Sequence, residues 1–334
     1  MKAITLLSGG LDSTLATKVI MEQGVDLEAL NFVTVFCTCT HRGATCLASQ
    51  KAVETLGIPL KVLNVSEEYL SVVKRPKHGY GRNMNPCIDC RIFMLKKAKA
   101  HMEESGASFI VTGEVLGQRP MSQRRDAMRL IEKEAGLEGF ILRPLSAKVL
   151  PVTVPEKEGW VDREKLLKVQ GRSRKPQIEL AEHYGLHDYP CPAGGCLLTD
   201  PGFAKRMKDL MVHDPNFSLN DVHLLKMGRH FRFSPGAKLV VGRQEEENQK
   251  IQIFAQGEDI LFKVSSFPGP LSLLRGKLDE GDIEKAAAIT AHYSKAKDLR
   301  NIEVTYKGPD EDHHQSLLAT PISRGEIERW MICE

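Results

Sequence analysis

Much is missing from these 334 residues, and each absence narrows the possibilities. No apolar run approaches the roughly 20 residues of a membrane-spanning helix, so no membrane association is expected. The N-terminus has no basic segment followed by a long apolar stretch. It runs directly into strand-like residues 3–7, so no signal peptide is expected and the protein is read as cytosolic. A net charge of only +3 gives no general argument for nucleic acid; any basic patch must be local. There is neither an internal repeat nor a low-complexity tract, so a repeat architecture is not expected. Cysteine, by contrast, is plentiful. The chain has eight: Cys37, Cys39 and Cys46, then Cys87 and Cys90, then Cys191 and Cys196, and Cys333 alone. In a reducing compartment, paired cysteines point to metal or redox chemistry before disulfides.

Residues 1–145 alternate short apolar runs with amphipathic helical stretches. Strands are predicted at 3–7, 27–36, 60–65, 109–112 and 140–142, and helices at 13–23, 44–56, 89–104 and 125–135. That alternation implies parallel βαβ units in a doubly wound α/β domain, whose ligands bind at the carboxyl ends of the strands. A helical extension follows over 146–215, giving a first domain of 1–215. Residues 220–334 change texture. Strands are expected at 231–233, 238–241, 251–254 and 260–264, then a helix at 282–297 and a strand at 302–306, which suggests a small α+β domain.

The first strand ends in Ser8-Gly9-Gly10-Leu11-Asp12-Ser13, and a helix follows. The glycines let backbone N–H groups turn toward a ligand, and the helix start offers free N–H groups and a positive dipole end to an anion. Ser8 and Ser13 add hydroxyls, and Asp12 can hold Mg²⁺ beside phosphates. No Gly-Lys-Ser/Thr follows, so this is not a Walker A loop, and the glycine spacing is not that of a dinucleotide fingerprint. The hexapeptide resembles the SGGxDS signature of the PP-loop (N-type ATP pyrophosphatase, HUP-like) family. The resemblance implies that Ser8, Gly9, Gly10, Asp12 and Ser13 bind the pyrophosphate of ATP with Mg²⁺, and that AMP is transferred.

Two further segments, Thr112-Gly113-Glu114-Val115-Leu116-Gly117-Gln118 and Leu142-Arg143-Pro144-Leu145, follow later strands on the same edge. Together with the phosphate loop they resemble the catalytic domain of 4-thiouridine synthetases. The resemblance implies that Gly113, Glu114, Gln118 and Arg143 line the nucleotide and substrate site. In two respects the sequence is expected to depart from that family: neither a THUMP-type RNA-capturing domain ahead of the loop nor a rhodanese domain is expected.

Cys87 and Cys90 open a helix, where nearby N–H groups and Arg91 are expected to lower their pKa. Three thiolates can hold three irons of a [4Fe–4S] cubane and leave the fourth open for sulfide. Some tRNA-thiolating PP-loop enzymes are built this way, with a C-x-x-C pair and one distant cysteine. The same layout here implies Cys87, Cys90 and Cys196, with Cys191 as the alternative to Cys196. A persulfide relay, a redox pair and zinc are the rival readings. Cys37, Cys39, His41 and Cys46 form either a zinc site or a set of buried thiols.

Val240-Val241-Gly242-Arg243 and Tyr293-Ser294-Lys295-Ala296-Lys297 resemble the NFACT-R domain, which implies RNA binding. Arg229, His230, Arg232, Lys238, Arg243, Lys295, Lys297 and Arg300 are expected to supply its phosphate-contacting face. A second basic stretch at 172–175, with Arg119, Arg124 and Arg125, can track an RNA backbone. The expected function is ATP-dependent tRNA thiolation, with sulfur from a cysteine desulfurase or free sulfide. The alternatives are a PP-loop ligase or amidotransferase acting on a small molecule, and an RNA-binding adaptor that retains ATP.

Overall fold

The computed structural model describes residues 1–38, 47–187, 189 and 195–333. They divide into two compact units, Met1–Thr199 and Asp200–Glu334.

The first unit holds β1 (Lys2–Leu6), α1 (Leu11–Met21), β2 (Asp26–Val33), α2 (Leu47–Leu56), β3 (Leu60–Asn64), α3 (Ser66–Lys74), α4 (Cys87–Glu104), β4 (Phe109–Thr112), α5 (Arg125–Ala135), β5 (Ile141–Leu142), α6 (Val154–Lys157) and α7 (Lys175–His183). The strands form a five-stranded parallel sheet ordered β3-β2-β1-β4-β5. Buried parallel strands need cover on both faces, and alternate residues supply it. Ala3 and Phe109 pack with Leu15 of α1 and Ala181 of α7. Their neighbours Ile4 and Ile110 face Leu95 of α4 and Ile131 of α5 on the other side. The chain leaves β1 toward β2 on one flank and returns with β4 on the other. That reversal opens a crevice at the carboxyl ends of β1 and β4.

The second unit holds α8 (Pro201–His213), α9 (Leu219–Leu224), β6 (Arg229–Arg232), β7 (Ala237–Val241), α10 (Glu245–Phe254), β8 (Ile260–Val264), β9 (Ser272–Gly276), α11 (Asp282–His292), β10 (Ile302–Lys307), β11 (Gln315–Ala319), α12 (Arg324–Ile327) and β12 (Met331–Cys333). Its sheet is seven-stranded and ordered β11-β10-β8-β9-β7-β6-β12. Leu239, Val241 and Leu274 pack with α11 on one face. Val240 and Leu273 pack with Leu224 and Ile251 on the other.

Two expectations change. The boundary at 215 moves back to Thr199, because α8 belongs with the second unit. Residues 251–254 lie in a helix, α10, and not in a strand. Glu245, Glu246 and Glu247 fill the first turn of that helix, where the helix dipole favours carboxylates. Ile251 is buried while Ile253 is exposed, so the apolar alternation there misleads. No helix among the described residues is long and apolar enough to cross a membrane.

Candidate functional site

The phosphate loop is braced by its own hydroxyls. Ser13 Oγ donates to Gly10 O at 2.9 Å and lies 3.1 Å from Ser8 Oγ, while Ser8 N reaches Ser13 Oγ at 3.3 Å. Two glycines are required by contact. Gly9 has φ +74°, and a Cβ there would stand 2.2 Å from the carbonyl carbon of Ala48. A Cβ on Gly113 would meet Ser13 Cα and N at 2.5 Å. The end of β4 is therefore pressed onto the first turn of α1, where unpaired N–H groups and the dipole favour an anion.

Asp12 stands at that turn. Its Oδ2 accepts from Gln118 Nε2 at 2.7 Å and lies 3.5 Å from Arg174 NH2. Gln118 is held in turn by Gln177 Nε2 at 3.1 Å. Asp12 Oδ1 is buried and has no hydrogen-bond partner among the described residues. A buried carboxylate oxygen without a donor is costly, and a hard cation beside phosphates suits it. The residues present thus fit Mg²⁺. Gly171 N donates to Leu116 O at 2.7 Å, which ties the segment leading to Arg174 against the loop after β4.

Glu114 and Arg143 end neighbouring strands and form a buried pair. Arg143 Nε donates to Glu114 Oε2 at 3.0 Å, Arg91 Nε lies 3.3 Å from Glu114 Oε1, and Arg143 also pairs with Glu132. Burial alone would raise the Glu114 pKa, but Arg91 and Arg143 outweigh it and hold the carboxyl below the usual range. The expectation that Glu114 and Arg143 line the ligand site thus meets two side chains that are 2% and 4% exposed and committed to each other.

The thiols form a second group. Cys87 and Cys90 open α4. Cys37 and Cys196 face each other in an isolated antiparallel bridge, flanked by Thr38 N to Gly195 O at 3.2 Å and Leu197 N to Phe36 O at 2.8 Å. Cys90 and Cys196 each lie within electrostatic reach of Cys37 and Cys87. Tyr69 from α3 lies against Cys90, and its phenol pKa is raised by burial and by that thiol. Burial pushes Cys196 up to about 12, with Cys90 adding to it. Cys87 is raised as well, because burial outweighs Arg119 and Arg91. This reverses the expected lowering at the helix start. Cys87, Cys90 and Cys196 supply the thiolate donor type that an iron–sulfur cluster takes. Among the described residues, no three His, Cys, Asp or Glu side chains are drawn together as a ready metal site.

The exposed Arg119 lies within electrostatic reach of Asp12, Cys87, Arg91 and Glu114.

Several residues took part that the sequence reading passed over or placed elsewhere. Arg174 turns inward to Asp12, while its neighbours Arg172 and Lys175 are exposed. Arg91, expected only to act on the cysteines, also reaches Glu114, Gln177 carries no motif, and Tyr69 lies on a helix that the sequence pattern does not predict. The acidic first turn Glu67 and Glu68 of α3 was the available signal for that helix. Cys191 and the set Cys39, His41 and Cys46 lie outside the described residues. In the second unit, His230 and Lys238 are buried and so leave the proposed phosphate-contacting face, whereas Arg243, Lys295, Lys297 and Arg300 are exposed. Arg229 stacks over Tyr293 at 4.4 Å.

Comparison with known proteins assigns relatives to both units. Residues 1–148 match the family model described as Thiamine biosynthesis protein (ThiI). Residues 228–331 match the NFACT protein RNA binding domain. The chain is 31% identical over 195 residues to a protein of Lysinibacillus sphaericus named "Probable tRNA sulfurtransferase", covering 55% of this chain and 46% of the relative. It is 27% identical over 130 residues to the tRNA-specific 2-thiouridylase MnmA of Rhizobium leguminosarum bv. trifolii, covering 36% of this chain and 33% of the relative. A solved 4-thiouridine synthetase–RNA complex with bound ATP is similar at 21% identity and TM-score 0.37, covering 67% of this chain and 52% of that one. The chain spans less than half the length of these two curated relatives.

Proposed function

We propose that this chain is an ATP-dependent tRNA sulfurtransferase, which adenylates a uridine carbonyl oxygen and replaces the AMP with sulfur. The observation that carries this reading is a chain of contacts: Arg91, next to Cys90 on α4, reaches Glu114 at 3.3 Å, and Gly113 beside it is pressed onto Ser13 of the phosphate loop. Those contacts support one site at the carboxyl edge of the sheet that serves both ATP and the thiols. The names of the relatives, a tRNA sulfurtransferase and a 2-thiouridylase, support the same chemistry.

The carbonyl oxygen of uridine is a poor leaving group, and adenylation makes it a good one. Ser8, Gly9, Gly10 and Ser13, with the first N–H groups of α1, hold the pyrophosphate that departs as the oxygen attacks the α-phosphate. Asp12 would hold Mg²⁺ there. Arg174 and Arg119 spread positive charge where negative charge grows, which lowers the barrier most in a site fixed beforehand. Gly113 seats β4 against α1. Gln118 and Gln177 fix the Asp12 carboxylate, and the Glu114–Arg143 pair anchors the ends of β4 and β5 behind it. Cys87, Cys90 and Cys196 would hold a [4Fe–4S] cluster, which supplies a place for sulfide when bound. Sulfide from this side then takes the place of AMP; free sulfide renews it directly, and a cysteine desulfurase renews it when a thiol reductant supplies the two electrons that bring persulfide sulfur to sulfide. The match to an RNA-binding domain over 228–331 supports tRNA capture by the second unit.

Two measurements test the reading. Mass spectrometry of tRNA nucleosides from a deletion strain should show one thiouridine lost and restored by the intact gene; an unchanged nucleoside profile rejects the assignment. Anaerobically purified protein should be brown and contain iron that Cys87→Ala, Cys90→Ala and Cys196→Ala each remove. Stoichiometric zinc without iron would overturn the cluster but leave the adenylation step standing.

A further inference from the structure

The second unit contains a cavity of about 280 Å³ that the thiolation chemistry does not use. Its most unusual feature is a row of three cations across adjacent strands. Strand register places Arg232 of β6 opposite Lys238 of β7, and Lys238 opposite Arg275 of β9. Like charges directly opposed on a sheet face are destabilising, so their counter-charges matter. Arg275 is satisfied by Asp259 at 2.6 Å and Asp221 at 2.7 Å. Arg232 takes Asp209 through both Nε and NH2, at 3.2 and 2.6 Å. Lys238 is left over. It is only 8% exposed, and Asp209 Oδ2, its one ion-pair partner among the described residues, lies 4.0 Å away. That is beyond hydrogen-bond length.

A largely buried lysine flanked by two arginines, with no hydrogen bond to an acceptor among the described residues, favours an anion at its ammonium. Lys238 lines the cavity, as do Arg232, Arg275 and the exposed Lys277, while Leu210, Leu224, Val240 and Leu273 give it an apolar floor. Asp214 and Asp221 also line it, but Asp221 is engaged by Arg275 and Asp214 by the backbone of Asn216. A cationic wall above an apolar floor, in a space larger than a bare ion, suits an anion that carries an organic part. We propose that this cavity binds a small organic phosphomonoester, its phosphate on Lys238 and Lys277 and its organic part on the leucine floor. A free mononucleotide and the phosphorylated end of an RNA chain both present this chemistry.

The protonation of Lys238 agrees with an unmet anion. Burial pushes it down to about 7, against the pull of Asp209 and with Arg232 and Arg206 adding to the fall. A fraction of the amine is therefore neutral and nucleophilic at physiological pH.

Pyridoxal 5′-phosphate is a suitable probe for the full-length chain, because it joins a phosphomonoester to an aldehyde. The Lys238 nitrogen attacks the aldehyde carbon and water leaves; borohydride then delivers hydride to the imine carbon, and peptide mass spectrometry locates the stable amine. Lys238 should be labelled at least about tenfold faster than the exposed Lys295 and Lys297, a preference of one pKa unit or more in energy. Pyridoxal without the phosphate should lose most of the preference. Lys277→Ala should reduce the excess of phosphorylated over unphosphorylated reagent at an unchanged melting temperature. Protection by AMP identifies a mononucleotide as the occupant. Protection by a 5′-phosphorylated oligoribonucleotide, but not its unphosphorylated form, identifies an RNA end. Equal labelling of Lys238 by the two reagents overturns the proposal, as does failure of inorganic phosphate, AMP and the phosphorylated oligoribonucleotide alike to protect it.

Discussion

Asp12 and Glu114 are both acidic residues at the carboxyl edge of the sheet, yet their surroundings give them opposite work. Asp12 is half-buried, with one oxygen held by Gln118 and the other left without a donor among the described residues. Asp12→Asn keeps the shape and removes the charge. It should lower ATP-to-AMP turnover by about 10² to 10³, the cost of one electrostatic contact in a fixed site, with little change in melting temperature. Undiminished turnover would remove Asp12 from the ATP site. Glu114, by contrast, is buried between Arg143 and Arg91. Glu114→Gln leaves Arg143 with Glu132 alone and Arg91 without its carboxylate, and should destabilise the fold by about 3 kcal/mol, the low end for a broken buried pair. The pH dependence follows from the lowered pKa. The stabilisation is complete above the unfolded carboxyl pKa of about 4.3 and is lost as pH falls through the lower folded value. Urea midpoints of the native chain should therefore fall below about pH 5, and those of the Gln variant should fall less. Parallel curves would show that Glu114 carries no linked charge.

At the scale of elements, the proposed phosphate site depends on how closely β4 meets α1. Gly113→Ala would put a methyl 2.5 Å from the backbone of Ser13, and backbone cannot rotate away. The variant should lose about 1–3 kcal/mol of stability, as overpacked positions do, and ATP affinity should fall as α1 is pushed off its seat. Calorimetry of the folded variant with ATP checks this; native affinity would mean that the loop adjusts freely. The elements of the first unit were legible in the sequence where periodicity was strong. Strand 109–112 and helix 125–135 have the expected bounds. Helix α3 was missed because its apolar face is only Tyr69, Leu70 and Val73. Residues 251–254 misled because Ile251 and Ile253 alternate like a strand while only Ile251 packs.

At the scale of the whole molecule, the two units invite a division of labour between chemistry and capture. Contacts made equally in the ground and transition states change KM and not kcat. If the second unit only captures tRNA, removing residues 200–334 should raise the apparent KM for tRNA strongly and leave ATP binding unchanged, because Asp12, Gln118 and Arg174 all lie in the first unit. Steady-state kinetics of the shortened chain at saturating tRNA is the check, and a large loss of kcat rejects a capture-only role. RNA binding by the second unit should also weaken steeply with salt, since phosphate contacts release counterions.

Sequence alone determined the parallel sheet, the phosphate loop at its edge and the spacing of Cys87 and Cys90, because these follow from local patterns: apolar periodicity, glycines before a helix start, and residues three apart on one helix. It also marked Asp12 and Gln118 and grouped Cys196 with Cys87 and Cys90, but did not pair Asp12 with Arg174, Gln118 with Gln177 or Cys196 with Cys37. Tertiary structure alone decided that Arg174 turns from a basic surface stretch to Asp12, that Glu114 is buried against Arg91 and Arg143, and that Cys37 stands opposite Cys196. It also buried Lys238 between Arg232 and Arg275. The reason is physical: burial and charge pairing are properties of neighbours in space, and residues 162 positions apart, such as Asp12 and Arg174, leave no periodic trace of meeting.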